Sequence, residues 1–191
     1  NSDDAKKLSR RIADESLTLV KNTNSIVPFI SSASQSCLLL SLNNGNEKAN
    51  SDYFLAKFSE NNKFSSTSYY DLTGDINNSE EIVQDAEKYD VIIIPIYAKV
   101  KIKTGTVGLP ESQLSLINSI VTKGKKVLVI SFGNPYLIQG FPEVDAYICA
   151  YADAESSIDA VIDSFYGTIK FKGKLPVTIS DRFKYGDGIT N

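Results

Sequence analysis

Three carboxylate pairs, Asp3 with Asp4, Glu80 with Glu81 and Asp153 with Glu155, are the residues whose type and spacing best suit acid–base chemistry in this sequence. Two carboxyls on either side of one bond can act as general acid and as base or nucleophile, and glycoside cleavage holds them about 5 to 9.5 Å apart. None of the three spacings argues for that arrangement. Each pair instead falls in the first turn of a segment with helical periodicity, where negative charge meets the positive end of the helix dipole. The structural reading of each pair is a charge-balanced helix start, and no catalytic residue is assigned.

Composition removes most other chemistries. The 191 residues include no histidine, so neither a Ser-His-Asp nor a Cys-His arrangement can be assembled within the chain. Cys37 and Cys149 sit far apart in the apolar runs SCLLLSL and DAYICAY, without metal-ligand spacing, and read as unbridged core thiols. No G-x-G-x-x-G or G-x-x-x-x-G-K-[ST] follows a strand, so the usual phosphate cradles are missing. Neither a metal nor a cofactor is expected. With 20 basic against 23 acidic residues and a formal charge of -3, the chain offers no cationic surface for nucleic acid or anionic lipid. No apolar run nears the roughly 20 residues of a membrane span, and the start NSDDAKKLSRR is unlike a signal peptide. A soluble protein with neither nucleic-acid nor membrane partners is expected, its compartment open. The chain contains no methionine, which suggests an N-terminus made by processing or by excision from something longer.

Six apolar runs have strand character: 18–21, 37–42, 68–71, 91–97, 127–132 and 146–151. VIIIPIY and VLVISF do not alternate with polar residues, the pattern of strands covered on both faces, and they are expected to be adjacent and parallel at the sheet centre. Between the runs lie helical patterns. Asp153 is the expected N-cap of a helix with Ile158, Val161, Ile162 and Phe165 on one face, stopped at Gly167. Ser79 is the expected cap for Ile82, Val83, Ala86 and Tyr89. Pro110 opens a helix carrying Leu114, Ile117 and Val121 and ended by Gly124, and a weaker helix spans 51–58. KGKLPVTIS, residues 172–180, is expected to supply a short last strand with Pro176 at an edge. Alternation of this kind predicts one α/β domain over residues 1–191: a three-layer sandwich whose mostly parallel sheet of about six strands has helices on both faces.

In such sheets ligands gather beyond the carboxyl ends of the strands, so the loops 43–46, 98–108 and 133–140 form the expected functional edge. The loop AKVKIKTGTVG carries Lys99, Lys101 and Lys103 and no acid. Gly133 is expected to let the chain turn away from its strand, Asn134 to bond the local backbone and Pro135 to fix the exit direction. Asn134, Tyr136, Lys101 and Lys103 are the candidate contacts to a substrate or a protein neighbour.

ADESLTLVKNTNSIVPF, LPESQLSLI, SFGNPYLI and GKLPVTI, in that order and across nearly the whole chain, resemble the landmarks of the C-terminal α/β sandwich domain of glycoside hydrolase family 3. The resemblance implies an upstream (β/α)8-type barrel that binds the sugar and supplies the Asp nucleophile, with this domain docked beside the barrel's mouth and sharing a carbohydrate rim. β-Glucosidase-like members place an acidic stretch before Leu-Pro-x-x-Gln, where this chain has Lys-Thr-Gly-Thr-Val-Gly. That departure favours the β-N-acetylglucosaminidase branch, in which a barrel loop supplies the acid/base. The expected function is therefore a non-catalytic part of an enzyme that hydrolyses β-linked (N-acetyl)glucosaminides or glucosides, of the β-N-acetylhexosaminidase or β-glucosidase kind, periplasmic or secreted in one reading of the full-length protein. The rivals are a free-standing carbohydrate- or protein-binding module and an autonomous hydrolase with carboxylates not yet paired.

Overall fold

The computed structural model describes residues 2–29, 32–45, 48–98 and 108–190. Helix α1, Asp3–Ser16, is followed by strand β1, Thr18–Asn22, and β2, Ser36–Asn43. The chain continues through α2 (Lys48–Asn61), β3 (Ser66–Thr73), α3 (Ser79–Ala86), β4 (Val91–Tyr97), α4 (Glu111–Thr122), β5 (Lys126–Ser131), β6 (Ala146–Cys149) and α5 (Glu155–Phe165). The sheet order is β1-β6-β5-β4-β2-β3. Strands β2 to β6 run parallel and β1 lies antiparallel on β6. This is the expected three-layer α/β sandwich on a mostly parallel six-stranded sheet.

Burial explains the sequence pattern. All seven residues of β4 and five of the six in β5 are buried, because successive side chains enter two different cores. Leu39, Ile93, Leu128 and Ile130 meet Phe54 and Phe58 of α2 and Ile158 and Phe165 of α5 on one face. Leu38, Ile92, Ile94 and Val129 meet Ile82 of α3 and Leu116 and Ile120 of α4 on the other. Strands β4 and β5 pair in parallel from Val91↔Lys126 to Ile96↔Ser131, as the continuous apolar runs predict. Pro95 is accommodated at the sheet centre because the pairing with β2 passes from Leu39↔Ile93 to Leu42↔Ile96, and the missing proline N–H falls in that interval. Cys37 and Cys149 are free, buried and in opposite cores.

Several local expectations are corrected. The N-cap of α5 is Ala154 rather than Asp153, with no side-chain cap bond; Asp153 instead accepts a bond from Asn50 Nδ2 at 2.8 Å, so a competing partner removes it from the helix end. Ser79 is the first residue of α3 and Asn78 its cap, again without a side-chain bond. Pro110 caps α4 from outside the helix; Ile117 is fully buried as expected, Leu114 and Val121 pack half-buried on the same core, and Gln113, Leu116 and Ile120 complete the buried face. Helix α2 extends beyond 51–58 at both ends. The expected strand within 172–180 does not form: Leu175 and Ile179 bury their side chains in the second core, while the backbone bonds 186–187 and Phe183 in turns. Pro176 removes a donor that a sheet ladder would need. Gly124 and Gly167 do close α4 and α5, at φ +70° and +73°.

Candidate functional site

Five parallel strands end on one edge, which gathers Asn43 and Asn44, Thr73 and Gly74, Tyr97 and Ala98, Ser131 to Asn134, and Ala150 to Asp153. At the end of β5, Gly133 adopts φ +145° and a Cβ there would stand 3.5 Å from the Ala98 carbonyl oxygen. Asn134 then accepts a bond from the Tyr136 N–H at 2.9 Å through Oδ1. Its carbonyl receives Ser131 Oγ at 2.7 Å, and the Pro135 carbonyl receives the buried Tyr147 hydroxyl at 3.2 Å. The turn is thus held from within, as its residues predict. Tyr136 differs: it is 42 % exposed at the rim and available to a neighbour. Lys101 and Lys103 lie outside the described residues.

Beneath the rim is a polar network that the motif search missed. Ser41 and Ser51 hydroxyls meet at 2.7 Å, Ser51 also meets the Tyr69 hydroxyl at 2.8 Å and donates to Asp71 Oδ1 at 3.1 Å. Lys48 pairs with Asp52 at 2.8 Å, and that bond raises the lysine's pKa. Tyr97, stacked on Phe132 at 4.9 Å, has its hydroxyl pushed well above the usual tyrosine range by burial. Across the sheet, Gln113 is fully buried and donates through Nε2 to the carbonyls of Asn43 at 2.9 Å and Gly74 at 2.8 Å. It binds the ends of β2 and β3 together. The signal for it was present: positions 113, 116, 117 and 120 share one helix face, and a glutamine on an apolar face needs partners inside.

The carboxylates at this edge are engaged by their own domain. Asp71 takes Ser51 and lies near Lys48 at 3.8 Å, Asp153 takes Asn50, and Asp52 takes Lys48. Glu80, Glu81 and Glu155 lie in the first turns of α3 and α5, and Asp3 and Asp4 in that of α1. Among the described residues no group of three His, Cys, Asp or Glu side chains converges to hold a metal. Among the described residues, this edge offers hydrogen-bonding and packing surface.

A second feature adjoins this edge. Tyr151, just after β6, adopts φ +61°, a conformation that costs a non-glycine residue about 1 to 2 kcal/mol. Its hydroxyl bonds Thr18 Oγ1 at 2.8 Å, and burial pushes its pKa up to about 12. Tyr151 lines a groove of about 860 Å³ between α1, the segment after β6 and residues 172–176.

The sequence matches the family model described as "Glycosyl hydrolase family 3 C-terminal domain" over residues 17–188. A search of curated proteins finds no significant match. Among solved structures, a protein titled beta-glucoside phosphorylase BglX is similar at 26% identity and TM-score 0.76 over 94% of this chain and 32% of its own. A glycoside hydrolase family 3 beta-N-acetylglucosaminidase from Paenibacillus sp. str. FPU-7 matches with TM-score 0.70 at 16% identity, over 94% and 34%. Beta-D-glucoside glucohydrolase from Trichoderma reesei matches with TM-score 0.75 at 15% identity, over 99% and 37%. The last two likenesses speak to the fold. The chain spans about a third of the length of each of these enzymes.

Proposed function

This chain belongs to the family of glycosyl hydrolase family 3 C-terminal domains, and from that premise we propose that residues 1–191 act as one non-catalytic domain of a larger β-glycosidase. The reaction takes place on a (β/α)8-type barrel of the same enzyme, which holds a β-linked glucoside or N-acetylglucosaminide. This domain abuts the barrel and closes one side of the sugar-binding rim with its carboxyl-edge loops. Tyr136 is the rim contact, Asn134 shapes the turn that presents it, and Lys101 and Lys103 supply the polar part of the rim. A carbohydrate substrate and the barrel are the partners, with neither nucleic acid nor membrane. Among the described residues no helix is long and apolar enough to cross a membrane.

The observation that carries this reading is the state of the edge carboxylates. Glycoside hydrolysis needs a nucleophile or base and a proton donor facing one bound sugar, whereas Asp71, Asp153 and Asp52 are each occupied by side chains of this chain. The test compares the purified 191-residue chain with the natural polypeptide that contains it, on aryl β-glucoside and aryl β-N-acetylglucosaminide. Turnover is expected only from the longer protein. Turnover by the 191 residues alone, lost on changing one of their own carboxylates, overturns the proposal.

A further inference from the structure

The two edges of the sheet are finished in different ways. On the β1 edge the chain covers itself: the Ile189 N–H donates to the Leu19 carbonyl at 2.8 Å as an isolated antiparallel bridge, and the Gly173 N–H donates to the Leu17 carbonyl at 3.1 Å. The opposite edge is β3, which pairs along its whole length with β2; among the described residues no segment pairs its outer side. Its inner residues are half-buried and its two end residues exposed. An open edge offers a row of backbone donors and acceptors to any other chain, and proteins blunt such edges with lysine, proline or a cover. The β3 sequence STSYYDLT has neither lysine nor proline. Its one charge, Asp71, accepts the Ser51 hydroxyl at 3.1 Å. A strand of this composition, β-forming and nearly uncharged, is an aggregation hazard when left bare.

A sequence signal lies just beyond that strand. The chain has 14 asparagines and one Asn-x-Ser/Thr triplet with x other than proline, Asn77-Asn78-Ser79. Such a triplet is the acceptor for N-glycosylation and belongs on a surface loop. It lies where β3 gives way to α3: Asn77 and Asn78 are exposed, and Ser79, the first residue of α3, is half-buried. The segment is held on either side of Asn77. Ser112 Oγ accepts the Ile76 N–H at 3.1 Å and donates to Asp75 Oδ1 at 3.2 Å, and the Asn78 carbonyl accepts the Ile82 N–H at 3.3 Å. The folded domain therefore keeps Asn77 at the surface, at the end of the strand that lacks a cover.

We propose that Asn77 is an N-glycan acceptor and that its glycan covers the open β3 edge. The donor is an oligosaccharide carried on a polyprenyl diphosphate, met as the chain is exported. A bond forms between Asn77 Nδ2 and the anomeric carbon of the donor, and the bond from that carbon to the diphosphate oxygen breaks. The polyprenyl diphosphate leaves with the electron pair, and the amide gives up one proton to a base of the transferase. The Ser79 hydroxyl is the group that the transferase reads two residues on. Once attached, the bulky, hydrated glycan stands beside the unpaired N–H and C=O groups of β3 and bars another strand from pairing with them. This inference does not depend on the two-domain reading above.

The test is mass spectrometry of the natural polypeptide purified from its own source. Peptide N-glycosidase in heavy-oxygen water is expected to convert Asn77, within the tryptic peptide 64–88, into labelled Asp and to leave Asn78 unlabelled. An unmodified Asn77 in that protein overturns the proposal. Produced in the same host, Asn77→Gln and Ser79→Ala are each expected to lose the glycan, whereas Ser79→Thr, which keeps the hydroxyl, retains it. A glycan that survives Asn77→Gln overturns the assignment to this residue. Below its unfolding midpoint the Asn77→Gln protein is expected to aggregate at least about threefold faster than the glycoprotein, read by light scattering. Adding Ser66→Lys and Thr73→Lys, at the two exposed ends of β3, is expected to restore the slower rate. Equal rates with and without the glycan overturn the edge cover and leave the acceptor site standing.

Discussion

Gln113 concentrates at one residue what the Leu-Pro-x-x-Gln landmark does. Its amide bonds the carbonyls of Asn43 and Gly74, so Gln113→Leu keeps the volume but takes the side-chain donor from the half-buried Gly74 carbonyl, while the Asn43 carbonyl keeps only the Gly74 N–H at 3.1 Å. A loss of about 1 to 3 kcal/mol is expected in urea denaturation; an unchanged midpoint would show that the clamp carries no stability. Asn134→Ala removes the acceptor for the Tyr136 N–H and is expected to cost about 1 kcal/mol, whereas Tyr136→Ala, at an exposed site, leaves the midpoint within about 0.5 kcal/mol. In the full enzyme Tyr136→Ala is expected to raise KM more than it lowers kcat. Asp90 gives a pH signature. Its carboxylate accepts the Ser36 N–H and Oγ, both at 2.8 Å, and these bonds lower its pKa below 3.8. A depressed folded pKa means that the contribution is present above the unfolded value and is lost as pH falls through the lower folded one. Asp90→Asn is therefore expected to flatten the fall in stability below about pH 4, and an identical acid limb in both proteins would contradict it.

At the level of elements, β4 and β5 hold the centre because both faces of each are covered. Ile93→Ala and Leu128→Ala, fully buried in the α2–α5 core, are each expected to cost about 2 to 5 kcal/mol through lost burial and a residual cavity. A loss below about 0.5 kcal/mol in chemical denaturation would remove the strand from the centre. The C-terminal segment behaves differently, since it is pinned rather than paired. Gly173 donates to the Leu17 carbonyl at 3.1 Å, and a Cβ on it would overlap the Ser16 carbonyl. Gly173→Ala is expected to detach residues 172–190 and make them protease-sensitive while β4 and β5 stay protected; full resistance would mean that the segment can move aside without loss.

For the whole molecule, the two cores share one sheet, so neither can dissolve alone. Cys37 reports on one core and Cys149 on the other. Burial raises both thiols, Cys149 up to about 12, which keeps the reactive thiolate scarce at neutral pH. Thiol titration is expected to find neither cysteine reactive natively and both after unfolding without reductant. They should appear in a single transition that coincides with the loss of secondary structure. Two separate exposure midpoints would show that the faces unfold independently.

The continuous apolar runs determined the central parallel strands, because a strand buried on both faces cannot alternate. The 3.6-residue spacing of Ile158, Val161, Ile162 and Phe165 determined the buried face of α5, and Gly133-Asn134-Pro135 determined its own turn through local geometry. These are short-range effects, written in neighbouring residues. The tertiary structure decided the rest. Asp153 loses the expected cap role to Asn50, 103 residues distant in sequence, and Gln113 takes a core position because two strand ends 39 and 70 residues away present carbonyls to it. Residues 172–180 read as a strand by composition, yet beside β1 they are tied by a single bond, from the Gly173 N–H to the Leu17 carbonyl, and Ile189 takes the Leu19 carbonyl as an isolated bridge. The groove beside α1 was invisible for the same reason: its walls come from three distant segments, and only folding puts Leu8 and Ile12 opposite Pro176.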